Sequence, residues 1–215
     1  MNSHITPDYN KCVLLTIDMQ NDFVMPGSIA EVKGSHEIVP RLKKVLETCR
    51  ERNIPIIHVI RLYKEDASNV DLCRKALIAS GAKIVLPHTK GAELVKELLP
   101  ESSSFTMDYD TLLKGKVQEI ANNEWILYKS RWGTFYNTIL EDFLKEKQID
   151  TVVFTGCNFP NCPRTSIYEA SERDFKIAML SDVVSGVYEK GMTELKNIGV
   201  EISSSENFIT KIATQ

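Results

Sequence analysis

Short apolar runs alternate with amphipathic stretches along the whole chain, and that alternation predicts a parallel β-sheet covered by helices on both faces. Cys12 to Ile17 reads as a first buried strand, the stretch from about Ile38 to Arg52 as a helix, and Pro55 to Ile60 as a second strand. Asn69 to Ser80 and Gly91 to Leu99 carry helical patterns. Trp125 to Tyr128 reads as a strand, and Thr134 to Lys147 as a helix with Phe135, Leu140 and Phe143 apolar. Thr151 to Thr155 and Lys176 to Leu180 are further strands, followed by a helix near Tyr188 to Asn197 and a short strand near Val200. The irregular segment from His88 to Met107, with Glu101-Ser102-Ser103-Ser104, is expected to be a surface connection. The sum is a single three-layer, Rossmann-like α/β domain over residues 1–215, with a mostly parallel sheet of about six strands and an N-terminal extension over 1–10.

Composition narrows the partners. A formal net charge of -3, with acidic and basic residues interspersed, offers neither a nucleic-acid groove nor a polybasic membrane patch. Small molecules and copies of the same chain, as a dimer or tetramer, are the expected partners. Five cysteines at 12, 49, 73, 157 and 162 contain no C-x-x-C pair, and no apolar leader or long apolar span is apparent. A reducing cytoplasm is the expected compartment.

Cys162 carries the most information. It follows the run Thr151-Val152-Val153-Phe154-Thr155-Gly156 and immediately precedes Pro163, which marks it as the cap between a buried strand and a helix from Pro163 to about Asp174. A thiol there sits in the field of a helix N-terminus, which favours the thiolate, and beside free backbone N–H groups able to hold an oxyanion. A buried structural cysteine would fit the position equally well. The strand ends tip the balance: Asp18 closes the first strand, Arg61 the second and Lys129 the third, while the fourth runs into Gly156 to Cys162. In an open parallel sheet these ends share one edge, where ligands bind at the point of strand-order reversal.

With these residues in place, the chain resembles the isochorismatase-like cysteine hydrolases, which include nicotinamidases, N-carbamoylsarcosine amidohydrolases, and ureidoacrylate and biuret hydrolases. The resemblance runs from about Lys11 onward. It rests on Leu15-Thr16-Ile17-Asp18-Met19-Gln20-Asn21-Asp22-Phe23, on Lys129 with Gly133-Thr134-Phe135 and Thr138, and on Thr155-Gly156 ahead of Cys162 and Thr165. It implies Asp18 as general base, Lys129 as its charge partner and Cys162 as nucleophile. The implied reaction is attack on an amide or ureido carbonyl, release of ammonia or an amine, and hydrolysis of the thioester. It also implies an oxyanion hole from the N–H groups of Asn158 and Cys162, and a cis peptide between Cys157 and Asn158.

The departures bear on substrate and metal. Phe159-Pro160 and Pro163 replace residues usual in the family. Nicotinamidases of the family bind a metal through histidines after the second strand, but here that region reads Arg61-Leu62-Tyr63-Lys64-Glu65-Asp66, so no metal or other cofactor is expected. Isochorismatases that cleave a vinyl ether lack the cysteine, so its presence implies the amidohydrolase branch. Arg61, Arg131, Trp132, Phe159 and Arg164 are candidate substrate contacts, and the arginines predict a carboxylate on the substrate. The alternative for those arginines is pairing within the protein. His58 reads as a core or supporting residue rather than a ligand, Asp22 as an organiser of the first loop, and Asp182 as either structural or chemical. Cys12, Cys49, Cys73 and Cys157 read as small buried fillers. Two rival readings stand beside the hydrolase: a non-catalytic member of the fold, and a redox sensor pairing Cys157 with Cys162.

Overall fold

β-branched and apolar runs flanked by turns form the strands of one sheet. The computed structural model describes residues 3–101 and 105–214, so Ser102-Ser103-Ser104 of the expected connection lie outside the described residues. The strands are β1 Cys12–Ile17, β2 Ile56–Arg61, β3 Gln118–Ala121, β4 Glu124–Lys129, β5 Thr151–Gly156, β6 Lys176–Val184 and β7 Glu201–Ser203, in spatial order β3-β4-β2-β1-β5-β6-β7. The helices are α1 Asn21–Val24, α2 Val39–Glu51, α3 Leu72–Ala79, α4 Tyr109–Leu113, α5 Leu140–Glu146, α6 Cys162–Ser171, α7 Glu189–Asn197 and α8 Ser205–Ala213.

Side chains alternate across the sheet, so each strand feeds two cores. Leu14, Ile56, Ile60, Val153 and Leu180 face one side, where Leu42, Val45 and Leu46 of α2 and Phe208 of α8 cover them. Leu15, Ile17, Val59, Leu127 and Phe154 face the other, under Leu144 of α5, Ile167 of α6 and Leu195 of α7. Burial on both faces explains why the central strands read as continuous apolar runs. Tyr9, at the end of the expected extension, packs edge-on against Phe208 and anchors the chain before β1.

The sheet has seven strands, close to the expected six, and its edge strand β3 pairs antiparallel with β4 across a turn in which Asn123 takes a left-handed conformation. Only Ile120 of β3 is buried, so this edge strand has no apolar run to announce it. Three expectations need correction. Gly91 to Leu99 is not one α-helix but holds two single 3-10 turns, Lys90–Ala92 and Lys96–Leu98, and between them its backbone pairs with the segment after β1, where the Asn21 N–H donates to Glu93 and the Val95 N–H to Met19. The helix expected from Thr134 begins only at Leu140, since the N–H groups of Thr134 and Phe135 donate to the side chains of Ser166 and Glu169 instead. Cys73 is exposed rather than buried.

The sheet reverses its order around β1. β2 lies on one side of it and β5 on the other, both parallel. The crevice outside the carboxyl ends of β1 and β5 is therefore the switch point of the fold.

Candidate active site

Each strand that reaches the switch point delivers one charged or nucleophilic group. Asp18 follows β1 in a left-handed conformation (φ 53°), its N–H tied to the carbonyl of Val59. Arg61 and Lys129 end β2 and β4 as register partners. Beyond β5 the chain must pass very close to β1: a β-carbon on Gly156 would meet the Ile17 carbonyl oxygen at 2.3 Å, and the residue sits at φ 108°. Glycine is the residue that fits both demands. The Cys157–Asn158 peptide is cis, as the resemblance implied, and the turn ends with Cys162 in the first turn of α6. Asn161, rather than Cys162, holds the cap position, and Pro163 lies in the first turn.

Asp18 and Lys129 form a buried ion pair, with Nζ 2.9 Å from Oδ2. Oδ1 of Asp18 is buried and accepts no hydrogen bond among the described residues. One oxygen is thus fixed while the other stays available to take a proton. The Cys162 thiol is buried beside this carboxylate. Burial and the Asp18 charge push it up to about 11 against the opposing pull of Lys129 and Arg61. Burial and the neighbouring carboxylate thus oppose the field at the start of α6, which favours the thiolate. Such a nucleophile needs a base, and Asp18 is in place to be one.

A second layer of side chains fixes Arg61. Its NH2 lies 3.6 Å from the Cys162 sulfur, and its NH1 pairs with Asp71. The Tyr63 hydroxyl donates to the same Asp71 oxygen at 2.6 Å. Burial works against the Arg61 charge, but Asp18, the Cys162 sulfur, Tyr63 and Asp71 outweigh it and hold the guanidinium protonated. The Gln20 side chain clamps the Arg61 backbone from both sides, donating to its carbonyl and accepting from its N–H at 2.8 Å each. Nε of Arg61 is buried without a partner among the described residues.

The pocket is lined by Asp18, Phe23, Val32, Arg61, Arg74, Trp132, Cys157, Asn158, Asn161 and Cys162, around a cavity of about 20 Å³. The N–H groups of Asn158 and Cys162 find no acceptor within the described residues. The expected residues do not all assemble. Asp18, Lys129, Cys162, Asn158, Arg61 and Trp132 meet here. Arg131 instead donates to the carbonyls of Asn69 and Ser130, beside a neighbouring shallow hollow that it lines with Leu72, Trp132 and Tyr136. Phe159 is fully buried and packs on Tyr188, away from the pocket. Arg164 pairs with Glu194 and Tyr188 on α7 and its N-terminal flank. Pairing within the protein was the alternative raised for these arginines, and it holds for Arg164.

Arg74 and Asn161 were missed. Arg74 lies within a stretch that reads only as a surface helix, and nothing in its spacing shows that α3 begins close enough to β2 to turn this side chain inward. Of the remaining candidates, His58 is fully buried in a network described below, and Asp22 accepts from the Val85 N–H and organises the loop. Asp182 accepts from the N–H and hydroxyl of Ser205 at the start of α8, a structural task. The Cys157 thiol donates to the Asp18 carbonyl at 3.2 Å. Among the described residues no three of His, Cys, Asp and Glu gather in a cluster able to hold a metal ion, and no helix is long and apolar enough to cross a membrane.

The isochorismatase domain model matches residues 12–207. The chain belongs to the isochorismatase family. A relative in Arabidopsis thaliana, named a probable inactive nicotinamidase, is 28% identical over 95% of this chain and 98% of its own length. An N-carbamoylsarcosine amidase from Arthrobacter is 24% identical, covering 93% of this chain and 70% of that protein. Among solved structures, an isochorismatase family protein from Desulfovibrio vulgaris superposes with a TM-score of 0.80 at 28% identity, over 94% of this chain and 98% of that one. The single α/β domain with its mostly parallel sheet is thus the family's fold.

Proposed function

We propose that this isochorismatase-family protein is a metal-independent cysteine hydrolase that cleaves a C–N bond of a small carboxamide or carbamoyl compound. One observation carries the reading: a buried thiol lies beside a carboxylate whose one oxygen is fixed by Lys129 and whose other oxygen has no partner among the described residues. In this mechanism Asp18 takes the thiol proton as sulfur attacks the carbonyl carbon, and Lys129 orients Asp18 through their ion pair. The N–H groups of Asn158 and Cys162 receive the developing oxyanion, with Arg61 adding positive charge beside the sulfur. The proton then passes from Asp18 to the departing nitrogen as the C–N bond breaks, leaving a thioester on Cys162. Water attacks that thioester with Asp18 again as base, which releases the acid and restores the thiol. The narrow cavity favours a small substrate.

The relative named N-carbamoylsarcosine amidase supports the reaction class. The relative named probably inactive supports a second reading, a binding protein of the same fold without turnover. A screen of ureido acids, biuret and simple carboxamides with ammonia detection separates the two. Release by the wild-type protein that is lost in Cys162→Ala supports hydrolysis, and release that survives in the variant overturns it.

A further inference from the structure

The charges around the pocket do not cancel. Lys129 is paired with Asp18 and Arg61 with Asp71, while burial beside Asp18 favours the uncharged form of Cys162. Arg74 also lines the pocket, yet among the described residues no carboxylate lies within ion-pair distance of it. Its guanidinium is held by neutral groups: NH1 donates to the Tyr63 hydroxyl at 3.1 Å, and the cation sits 5.6 Å from the Phe23 ring centroid and 6.0 Å from that of Tyr63. Rings and a hydroxyl orient an arginine without neutralising it. Nearby, the buried Nε of Arg61 is a donor with no acceptor among the described residues, on a side chain only 2% exposed. The pocket thus combines one surplus positive charge with an unused N–H donor, and such a set is completed by an anion.

Building on the hydrolase reading, we infer that Arg74 is the residue that selects the substrate, by binding a carboxylate set a few bonds from the carbonyl under attack. The substrate class is then a small ureido or amido acid. Arg74 fills the role that sequence reasoning gave to Arg131 and Arg164. A planar guanidinium in the first turn of α3 can present a two-pronged contact to the acid while Cys162 faces the carbonyl. A purely structural Arg74, bracing α3 against Phe23 of α1, would affect acidic and neutral ligands alike.

Binding measured without turnover separates this inference from the hydrolase reading. Calorimetry on Cys162→Ala, with N-carbamoylglycine and its neutral amide as probes, is expected to show the acid binding about tenfold or more tightly than the amide, as a charge-assisted pair would give. Adding Arg74→Met should remove that preference, and adding Arg74→Lys, which keeps the charge and loses the fork, should retain part of it. Thermal melting of each variant checks that the fold persists. The inference is overturned if the acid fails to bind, if it binds no better than the amide in the Arg74 background, or if Arg74→Met weakens both probes equally. Ammonia release from a neutral amide by the wild-type protein would still uphold the hydrolase reading in that event.

Discussion

Two buried charged clusters share this sheet, and they differ in how completely they are satisfied. Beneath α2, Glu124 accepts from Arg50 at 2.8 and 2.9 Å and meets His58 at 2.7 Å, while the other His58 nitrogen meets Thr16 at 2.8 Å. A third Arg50 bond runs to the Leu98 carbonyl. At the carboxyl edge, the cluster of Asp18, Lys129, Arg61 and Cys162 leaves Asp18 Oδ1 and Arg61 Nε without partners among the described residues. An unmatched polar atom in a low-dielectric interior is costly, so a fold retains one where something else completes it. The closed network is a structural joint, and the open one is the proposed site of reaction. The same chemistry of buried charge serves both ends, and the difference lies in which atoms are left over.

Breaking the open cluster should cost function first. Cys162→Ala should reduce turnover to background while leaving the melting temperature nearly unchanged, because a small thiol at a pocket wall is lost without opening a large void. Measurable hydrolysis by that variant would place the nucleophile elsewhere. Asp18→Asn and Lys129→Met should each lower kcat by orders of magnitude, and the double variant should be little worse than either alone, since the pair acts as a unit. Additive losses in that cycle would mean that one of the two stands outside the chemistry. Lys129→Met should also destabilise by about 3 kcal/mol or more, as it strands a buried carboxylate.

Breaking the closed cluster should cost stability first. Glu124 is held down to about 2 from an ordinary 4.5: burial opposes this, but the hydrogen bonds and charges of Arg50 and His58 prevail. A depressed carboxylate stabilises the fold fully above its unfolded pKa and loses that contribution as pH falls through the folded value. Glu124→Gln should therefore lower stability at neutral pH by about 3 kcal/mol and flatten its decline between pH 4.5 and 2. Chemical denaturation across that range checks it, with kcat of the folded variant staying near the wild-type value. The smallest expected effect is none at all: dialysis against a chelator should leave hydrolysis unchanged, and zinc lost in step with activity would contradict the proposed metal independence.

The closed and open clusters were not equally visible in the chain. The strand ends that deliver Asp18, Arg61, Lys129 and Cys162 were legible because each follows an apolar run buried on both faces. His58 could be assigned to the interior, but its partners could not, since Arg50 and Glu124 lie on separate elements joined only by packing. Edge strand β3 escaped notice for lack of an apolar pattern, and the stretch around Leu94 was misread because its hydrogen bonds go to a loop distant in sequence. Arg164 and Arg74 show the same limit in opposite senses. Proximity in sequence to Cys162 did not bring Arg164 into the pocket, and distance did not keep Arg74 out of it.

The central claim is that the thiol of Cys162 becomes covalently acylated during C–N cleavage. Acid-quenched reactions with the most active compound of the screen, followed by peptide mapping in a mass spectrometer, test it directly. An acyl adduct on the Cys162 peptide is expected, formed in step with the first equivalent of ammonia or amine and cleared as the acid product appears. Steady release of ammonia with Cys162 unmodified throughout, and with Cys162→Ala equally active, would contradict it.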